Sequence, residues 1–299
     1  MKVTVAPHSG FCAWVARAVS EAERLIAEHG APIFSTGALV HNPLETARLK
    51  NAGLIPSSAP WRLKNRNVIV SPHGIAEKLY RRIVENGNVI AADLTCPNVR
   101  KVQRIVSSCP PGRRVVIVGK WDHPEVRSVA GFCRKAPVVV SGIDEVNIVP
   151  ADKPVCVVSQ TTFPAALYDE IAGRVSALNP DARVHRSVCP SVEQRIKAAV
   201  ELAARTDLFV VVGGRNSANT KALFLACRSV NPGAVLVESP GELERFLRGR
   251  HPRRGAAHSG RRACLRADTH RQATAGVTAG TSTPLWLVEK VRAILENQQ

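Results

Sequence analysis

The chain has 299 residues, 45% hydrophobic and 22% charged, which is long enough for a sizeable core and too apolar for wholesale disorder. No apolar run reaches 18 residues, which excludes a transmembrane helix. Lys plus Arg number 41 against 24 Asp plus Glu, and the resulting +17 favours anionic partners: nucleic acid, a phosphorylated substrate or an acidic protein.

In chain order, Met1-Lys2 passes straight into the strand pattern Val3 to Ala6. Neither a signal peptide's apolar stretch nor a transit peptide's Arg/Ser bias precedes it, so a cytoplasmic protein is expected. Cys12 follows, then a helical pattern from Ala13 to His29, then the loop Val40-His41-Asn42. The strand Val68 to Ser71 leads into Pro72-His73-Gly74. The strand pattern Asn88 to Ala91 leads to Cys96 and a helix over Pro97 to Ser107. Val115 to Val118 precedes His123-Pro124-Glu125, and Val155 to Ser159 precedes Gln160-Thr161-Thr162. Ala182 to Val184 precedes Cys189 and a helix over Pro190 to Ala204. Leu208 to Val212 precedes Asn216-Ser217-Ala218-Asn219, and Ala275 to Val277 leads into Thr278 to Pro284, which includes Ser282. Pro97 and Pro190 suit a first helical turn, where the missing N–H costs nothing.

These segments repeat. The second loop begins 28, 27 and 27 residues after Cys12, Cys96 and Cys189. In the third loop, His73 lies 61 residues after Cys12, Thr161 lies 65 after Cys96 and Ser282 lies 93 after Cys189. The excess in the last repeat coincides with residues 248–271, where eight Arg and one Asp supply +7, and this stretch reads as an inserted basic loop. The chain thus divides into three α/β units, 1–95, 96–188 and 189–299, with mostly parallel sheets. Loops after parallel strands line the ligand crevice. A pseudo-threefold arrangement would bring the three cysteines together, ringed by the six other loops.

The chemistry of those loops is specific in type. A long chain in a reducing compartment argues against a disulfide framework for its eight cysteines, and no C-x-x-C pair suggests a zinc ribbon. Three converging thiolates suit a soft metal centre, and three ligands on a 4Fe-4S cluster leave one iron open for reductive chemistry. Buried core cysteines at strand ends are the bland alternative. His41, Asn42, His73, His123, Thr161, Thr162, Ser217, Asn219 and Ser282 are hydrogen-bond donors near helix starts, where phosphate oxygens bind. Taken singly, each reads equally well as an N-cap or a structural histidine. Glu125 is the carboxylate among these loops, and beside an anion pocket it suits a proton donor with a raised pKa.

At this point the sequence resembles the 4-hydroxy-3-methylbut-2-enyl diphosphate reductase family (IspH/LytB) of the methylerythritol phosphate isoprenoid pathway. The matching motifs are Gly10-Phe11-Cys12-Ala13 with Arg17, Val40-His41-Asn42, His73-Gly74, Asp93 with Thr95-Cys96-Pro97, and His123-Pro124-Glu125-Val126. They continue through Gln160-Thr161-Thr162, Cys189, Asn216-Ser217 with Asn219, and Gly276 to Gly280 with Ser282 and Pro284. The resemblance implies three α/β units around a central 4Fe-4S cluster held by Cys12, Cys96 and Cys189, with the substrate at the open iron. It implies a diphosphate held by His41, His73, His123, Thr161, Ser217, Asn219 and Ser282. It implies proton delivery by Glu125 with Thr161 and His123, products isopentenyl and dimethylallyl diphosphate, and reduced ferredoxin or flavodoxin as electron donor.

The chain also departs from the family pattern. Ser9 stands where the family has arginine and Trp14 where it has glycine. Gly37-Ala38 replaces a His-Glu pair, Lys120 a histidine, Val192 a threonine and Ala218 a serine. Val192 and Ala218 each remove a hydroxyl, which leaves room for a diverged paralogue with weak activity or another allylic diphosphate substrate. A non-catalytic nucleic-acid binder acting through the basic loop is a further alternative, but it gives no reason for the matched cysteines and Glu125, and aromatics are only 4%. Cys264, His258 and His270 in the basic loop fit no known metal spacing.

Overall fold

The structure is a computed structural model and describes residues 1–151, 153–250 and 272–298. Strand β1 (Lys2–Val5) leads through the Cys12 loop into helix α1 (Ala13–His29). Then follow β2 (Ile33–Thr36), α2 (Pro43–Ala52), β3 (Leu54–Ser57), β4 (Asn67–Val70), α3 (Glu77–Glu85) and β5 (Val89–Asp93). The middle of the chain contributes α4 (Pro97–Ser107), β6 (Arg114–Val118), α5 (Pro124–Ala130), β7 (Val138–Val140), β8 (Val155–Ser159), α6 (Ala165–Leu178) and β9 (Arg183–Val184). The remainder gives α7 (Pro190–Ala203), β10 (Leu208–Val212), α8 (Ala218–Val230), β11 (Ala234–Val237), α9 (Pro240–Arg250), β12 (Thr274–Ala279) and α10 (Leu285–Glu296).

The strands form three four-stranded sheets, with orders β3-β2-β4-β5, β7-β6-β8-β9 and β11-β10-β12-β1. Every registered strand pair is parallel. The three orders are one pattern repeated. In each, the strand before a cysteine loop (β5, β9, β1) is an edge, and the strands before the other two loops lie at the centre. The repeat read from the sequence is therefore carried by the hydrogen-bonded topology. The opening strand β1 takes the edge position beside β12, with Val5 opposite Val277. It thus completes the sheet built mainly by residues 208–279 rather than starting one of its own.

The central strand β10 is apolar throughout because helices cover both faces of its sheet, as parallel sheets require. Leu208 to Val212 are buried without exception. Alternation then divides them between two faces. Val210 and Val212 join Val277 and Ala279 against Leu287, Val288, Val291 and Leu295 of α10. Phe209 and Val211 meet Ala199 and Leu202 of α7 and Leu223 and Cys227 of α8. Each such fully buried large side chain contributes roughly 1.5–3 kcal/mol relative to its exposed state.

The chain forms two compact bodies: residues 1–13, 41–45 and 191–299, and residues 14–40 and 46–190. The first contains the sheet of β1, β10, β11 and β12, and the second contains the other two sheets. The expected basic loop over 248–271 needs one correction: residues 248–250 are the last turn of α9, where the Glu242-to-Arg250 stretch still has helical composition. The rest of that segment, including His258, Cys264 and His270, lies outside the described residues. Among the described residues, no helix is long and apolar enough to cross a membrane.

Candidate active site

In each sheet the chain runs from one central strand to an edge, then crosses back to the other central strand. The crevice at such a switch point, beyond the strand C-termini, is where open parallel sheets bind ligands. The loops leaving the six central strands carry His41 and His73 (β2, β4), His123 and Thr161 (β6, β8), and Ser217 and Ser282 (β10, β12). The loops leaving the three cysteine-side edges carry Cys12, Cys96 and Cys189.

In the body of residues 14–40 and 46–190, Glu125 is the centre of a buried polar group. It lies in the first turn of α5 and is 2% exposed. The Thr161 main-chain N–H donates to its Oε1 at 2.5 Å, and the Thr161 hydroxyl to its Oε2 at 2.9 Å. Burial pushes the carboxyl up to about 7, and the two bonds from Thr161 oppose that rise. The Glu125 N–H donates to Nδ1 of His123, the N-cap of α5, at 3.2 Å. A neutral His123 accepting there carries its proton on Nε2, so Nε2 is the donor nitrogen. The rings of His123 and His73 meet edge to face, with centroids 5.7 Å apart. His73 follows Ser71, whose hydroxyl lies 3.5 Å from its Nδ1. Gly74 next to it has a φ of +72°, and a Cβ there would sit 2.7 Å from Gln103 Nε2 and 2.8 Å from Ser128 Oγ. Glycine is therefore what lets this loop close onto α4 and α5.

The same body holds Cys96 and Cys189. Cys96 is the N-cap of α4, and its N–H donates to Pro72 O at 3.0 Å. Cys189 precedes α7, and its N–H donates to Thr161 O at 2.8 Å. Its Sγ accepts a hydrogen bond from Asn98 Nδ2 at 3.2 Å. Cys12 stands just before α1 in the other body. None of the seven described cysteines is in a disulfide, and these three are partly accessible. The remaining thiols differ. Cys109, Cys156 and Cys227 are buried in apolar clusters, and burial pushes Cys133, Cys156 and Cys227 up to about 12. Cys109, Cys156 and Cys227 are core thiols, and Cys133 is partly accessible and packs against the cluster that holds Cys109 and Cys156. Cys12, Cys96 and Cys189 stand at helix N-termini, which favour negative charge, and a donor already bonded to one sulfur suits a ligating thiolate. Taken residue by residue, this is the chemistry of thiolates able to ligate iron.

In the body of residues 1–13, 41–45 and 191–299, the arrangement suits an anion. Ser217 is the N-cap of α8 and accepts from the Thr220 N–H at 3.3 Å. Asn219 is 2% exposed, and neither its Oδ1 nor its Nδ2 has a hydrogen-bond partner among the described residues. A buried amide left so is costly unless a ligand or water completes it. Gly280 lies against this pair: a Cβ there would be 2.2 Å from Thr220 Oγ1 and 3.4 Å from Asn219 Nδ2. Ser282 Oγ donates to His41 O at 3.4 Å. Burial lowers the His41 pKa, which keeps the imidazole neutral. Asn42 caps α2 by accepting from the Glu45 N–H at 3.1 Å, while its buried Nδ2 has no partner among the described residues.

Two features carry no sequence signal. Asn98 sits at an unremarkable helical position, and only folding brings its amide to Cys189. Arg195 is 2% exposed and donates through Nη1 to Ala279 O at 2.7 Å, ahead of the Gly280–Ser282 loop. Its helical spacing from Val192 and Ala199 marks a buried face, but not a buried cation. Among the departures, Trp14 donates from Nε1 to Leu94 O at 2.9 Å, and the Arg17 guanidinium lies 5.4 Å from its ring. Val192 packs in the core at 3% exposure, and Ala218 opens α8 beside Ser217. The Lys120 N–H donates to Gln160 Oε1 at 3.3 Å.

Comparison with known proteins gives a consistent result. A family model described as LytB protein matches residues 3–296. The 4-hydroxy-3-methylbut-2-enyl diphosphate reductase of Aquifex aeolicus is 29% identical over 299 residues, covering 98% of this chain and 96% of the relative. The one from Campylobacter fetus subsp. fetus is 32% identical over 300 residues, covering 99% of this chain and 98% of the relative. A solved (E)-4-hydroxy-3-methyl-but-2-enyl diphosphate reductase, described as the terminal enzyme of the non-mevalonate pathway, superposes with a TM-score of 0.69 at 29% identity and 99% coverage of both chains. The Plasmodium falciparum E-1-hydroxy-2-methyl-but-2-enyl-4-diphosphate reductase structure shares the fold, with a TM-score of 0.85 at 22% identity, covering 99% of this chain and 88% of that one.

Proposed function

The chain belongs to the LytB protein family, and on that premise we propose that it is a 4-hydroxy-3-methylbut-2-enyl diphosphate reductase. It removes the allylic hydroxyl of its substrate with two electrons and two protons, giving water and isopentenyl or dimethylallyl diphosphate. This is the last step of the methylerythritol phosphate route. The observation that carries the reading is the buried Glu125 carboxyl, gripped by Thr161, whose carbonyl in turn accepts from the Cys189 N–H.

Cys12, Cys96 and Cys189 hold a 4Fe-4S cluster. When bound, that cluster supplies electrons singly and an iron with an open position. The protein's own residues do the rest. Asn219, Ser217, Ser282 and His41 supply hydrogen-bond donors to the diphosphate, and His73 and His123 add donors to the same anion. His41, whose pKa burial lowers, binds it through an N–H group. Glu125 is protonated near neutrality and delivers a proton toward the departing hydroxyl, so that water leaves rather than hydroxide. Thr161 fixes the carboxyl's orientation. The reaction takes place in the cytoplasm, and reduced ferredoxin or flavodoxin supplies the electrons. Both are acidic proteins that a chain of charge +17 attracts.

Val192 and Ala218 lack the hydroxyls of the family pattern, and Val192 is buried where a hydroxyl would need a partner. They favour a second reading, a diverged paralogue acting on another allylic diphosphate. One experiment separates the two. The anaerobically reconstituted protein, given a strong one-electron reductant, should consume 4-hydroxy-3-methylbut-2-enyl diphosphate, and Glu125→Gln should stop it. A fully loaded protein that leaves this substrate untouched overturns the first reading in favour of the second.

A further inference from the structure

We propose that Asn98 is a positioning residue that tunes the reduction potential of the cluster through the sulfur of Cys189. The inference rests on the cluster reading given above. Asn98 is the second residue of α4, the helix opened by Cys96, and its Nδ2 donates to Cys189 Sγ at 3.2 Å. One side chain thus ties the helix of one proposed ligand to the sulfur of another. Both ends of that bond are fixed. α4 is anchored by the Cys96 N–H on Pro72 O and by Val99, Val102 and Val106 in the core. The Cys189 main chain is anchored on Thr161 O.

Asn98 has no capping task to explain it: Cys96 is the N-cap, without a side-chain cap bond. Its amide instead points a positive dipole at a sulfur that carries negative charge once it ligates iron. An added electron raises that charge, so the N–H···S bond strengthens on reduction and holds the reduced cluster preferentially. Hydrogen bonds to the sulfurs are among the determinants of an iron–sulfur potential. The bond is made to the sulfur, so its effect is read in the electron affinity of what that sulfur ligates.

The test is a redox titration of the reconstituted protein, followed by absorbance and electron paramagnetic resonance. Asn98→Ala removes the donor, and Asn98→Asp keeps the volume but presents only acceptors. At the poise that half-reduces the unaltered cluster, both variants should show a reduced-to-oxidised ratio lower by about tenfold, a one-electron shift of about 59 mV. Iron and sulfide content should match the parent. Ratios within twofold of the parent in loaded variants overturn the proposal while leaving the cluster reading intact. Failure of the unaltered protein to take up a cluster overturns the cluster reading itself. Should the variants load poorly, pulsed resonance on the unaltered holoprotein labelled with side-chain ¹⁵N-asparagine decides the matter. A ¹⁵N coupling to the reduced cluster supports the bond, and its absence overturns it.

Discussion

Thr161 holds both oxygens of Glu125, its N–H on Oε1 at 2.5 Å and its hydroxyl on Oε2 at 2.9 Å. The carboxyl is buried and pushed up to about 7, with burial the larger cause and Thr161 opposing it. Both hydrogen bonds favour the charged form, so removing the hydroxyl in Thr161→Val should raise the carboxyl's pKa further. Turnover that needs protonated Glu125 is present below that pKa and lost above it. The alkaline limb of the pH–rate profile should therefore move to higher pH in Thr161→Val. An unmoved or acid-shifted limb would show that another group controls it.

The same shift has a sign in stability. The folded chain holds the Glu125 proton more tightly than the unfolded chain, whose carboxyl keeps the ordinary value near 4.5. The resulting stabilisation, about 3 kcal/mol at most, is fully present below about pH 4.5 and lost as pH rises through about 7. Glu125→Gln cannot ionise. Its unfolding free energy should fall less between pH 5 and pH 8 than that of the unaltered protein, as read from denaturant midpoints at the two pH values.

Glu125→Gln should also retain the full iron content and lose at least about 100-fold in turnover, the scale of general acid catalysis. Single-turnover assays at pH 6.5 check this directly. Undiminished turnover would remove Glu125 from the proton path.

How much of this was legible in the sequence depends on the range of the contacts. The strands and the helices after Cys12, Cys96 and Cys189 follow from local pattern, and the equal spacings expose the repeat. The helix expected to Ala204 ends at Ala203. That β1 pairs with β12 was not legible, because register between residues 272 apart leaves no local trace. The residue types at the loops were readable because each loop follows a strand, and they motivate the anion and metal sites proposed above. The Asn98 bond to Cys189 and the burial of Arg195 were not, because both depend on how helices pack and not on any motif.

The cysteines divide into two testable classes. Cys12, Cys96 or Cys189 to Ser should abolish stable iron binding. Cys227→Ser places a hydroxyl in a pocket with 0% exposure among Phe209, Leu223 and Leu202. It should keep the iron and lose roughly 1–3 kcal/mol of stability. Iron content by colorimetric assay together with thermal melts separates the classes, and the reverse pattern would sink the ligand assignment.

The loop proposed to hold the diphosphate can be probed through a single atom. A Cβ on Gly280 would stand 2.2 Å from Thr220 Oγ1, closer than any real contact, and 3.3 Å from Thr220 Cβ. Gly280→Ala must therefore displace either the loop toward Ser282 or the turn carrying Asn219. The KM for the diphosphate substrate should rise at least about tenfold, or about 1.4 kcal/mol, with the cluster unchanged. Thr220→Ala removes the offending oxygen, and that oxygen has no hydrogen-bond partner among the described residues. The double variant should then recover most of the lost affinity, which makes the coupling between the two positions favourable. If the double variant binds no better than Gly280→Ala alone, the close approach of Gly280 to Thr220 is not what shapes the site.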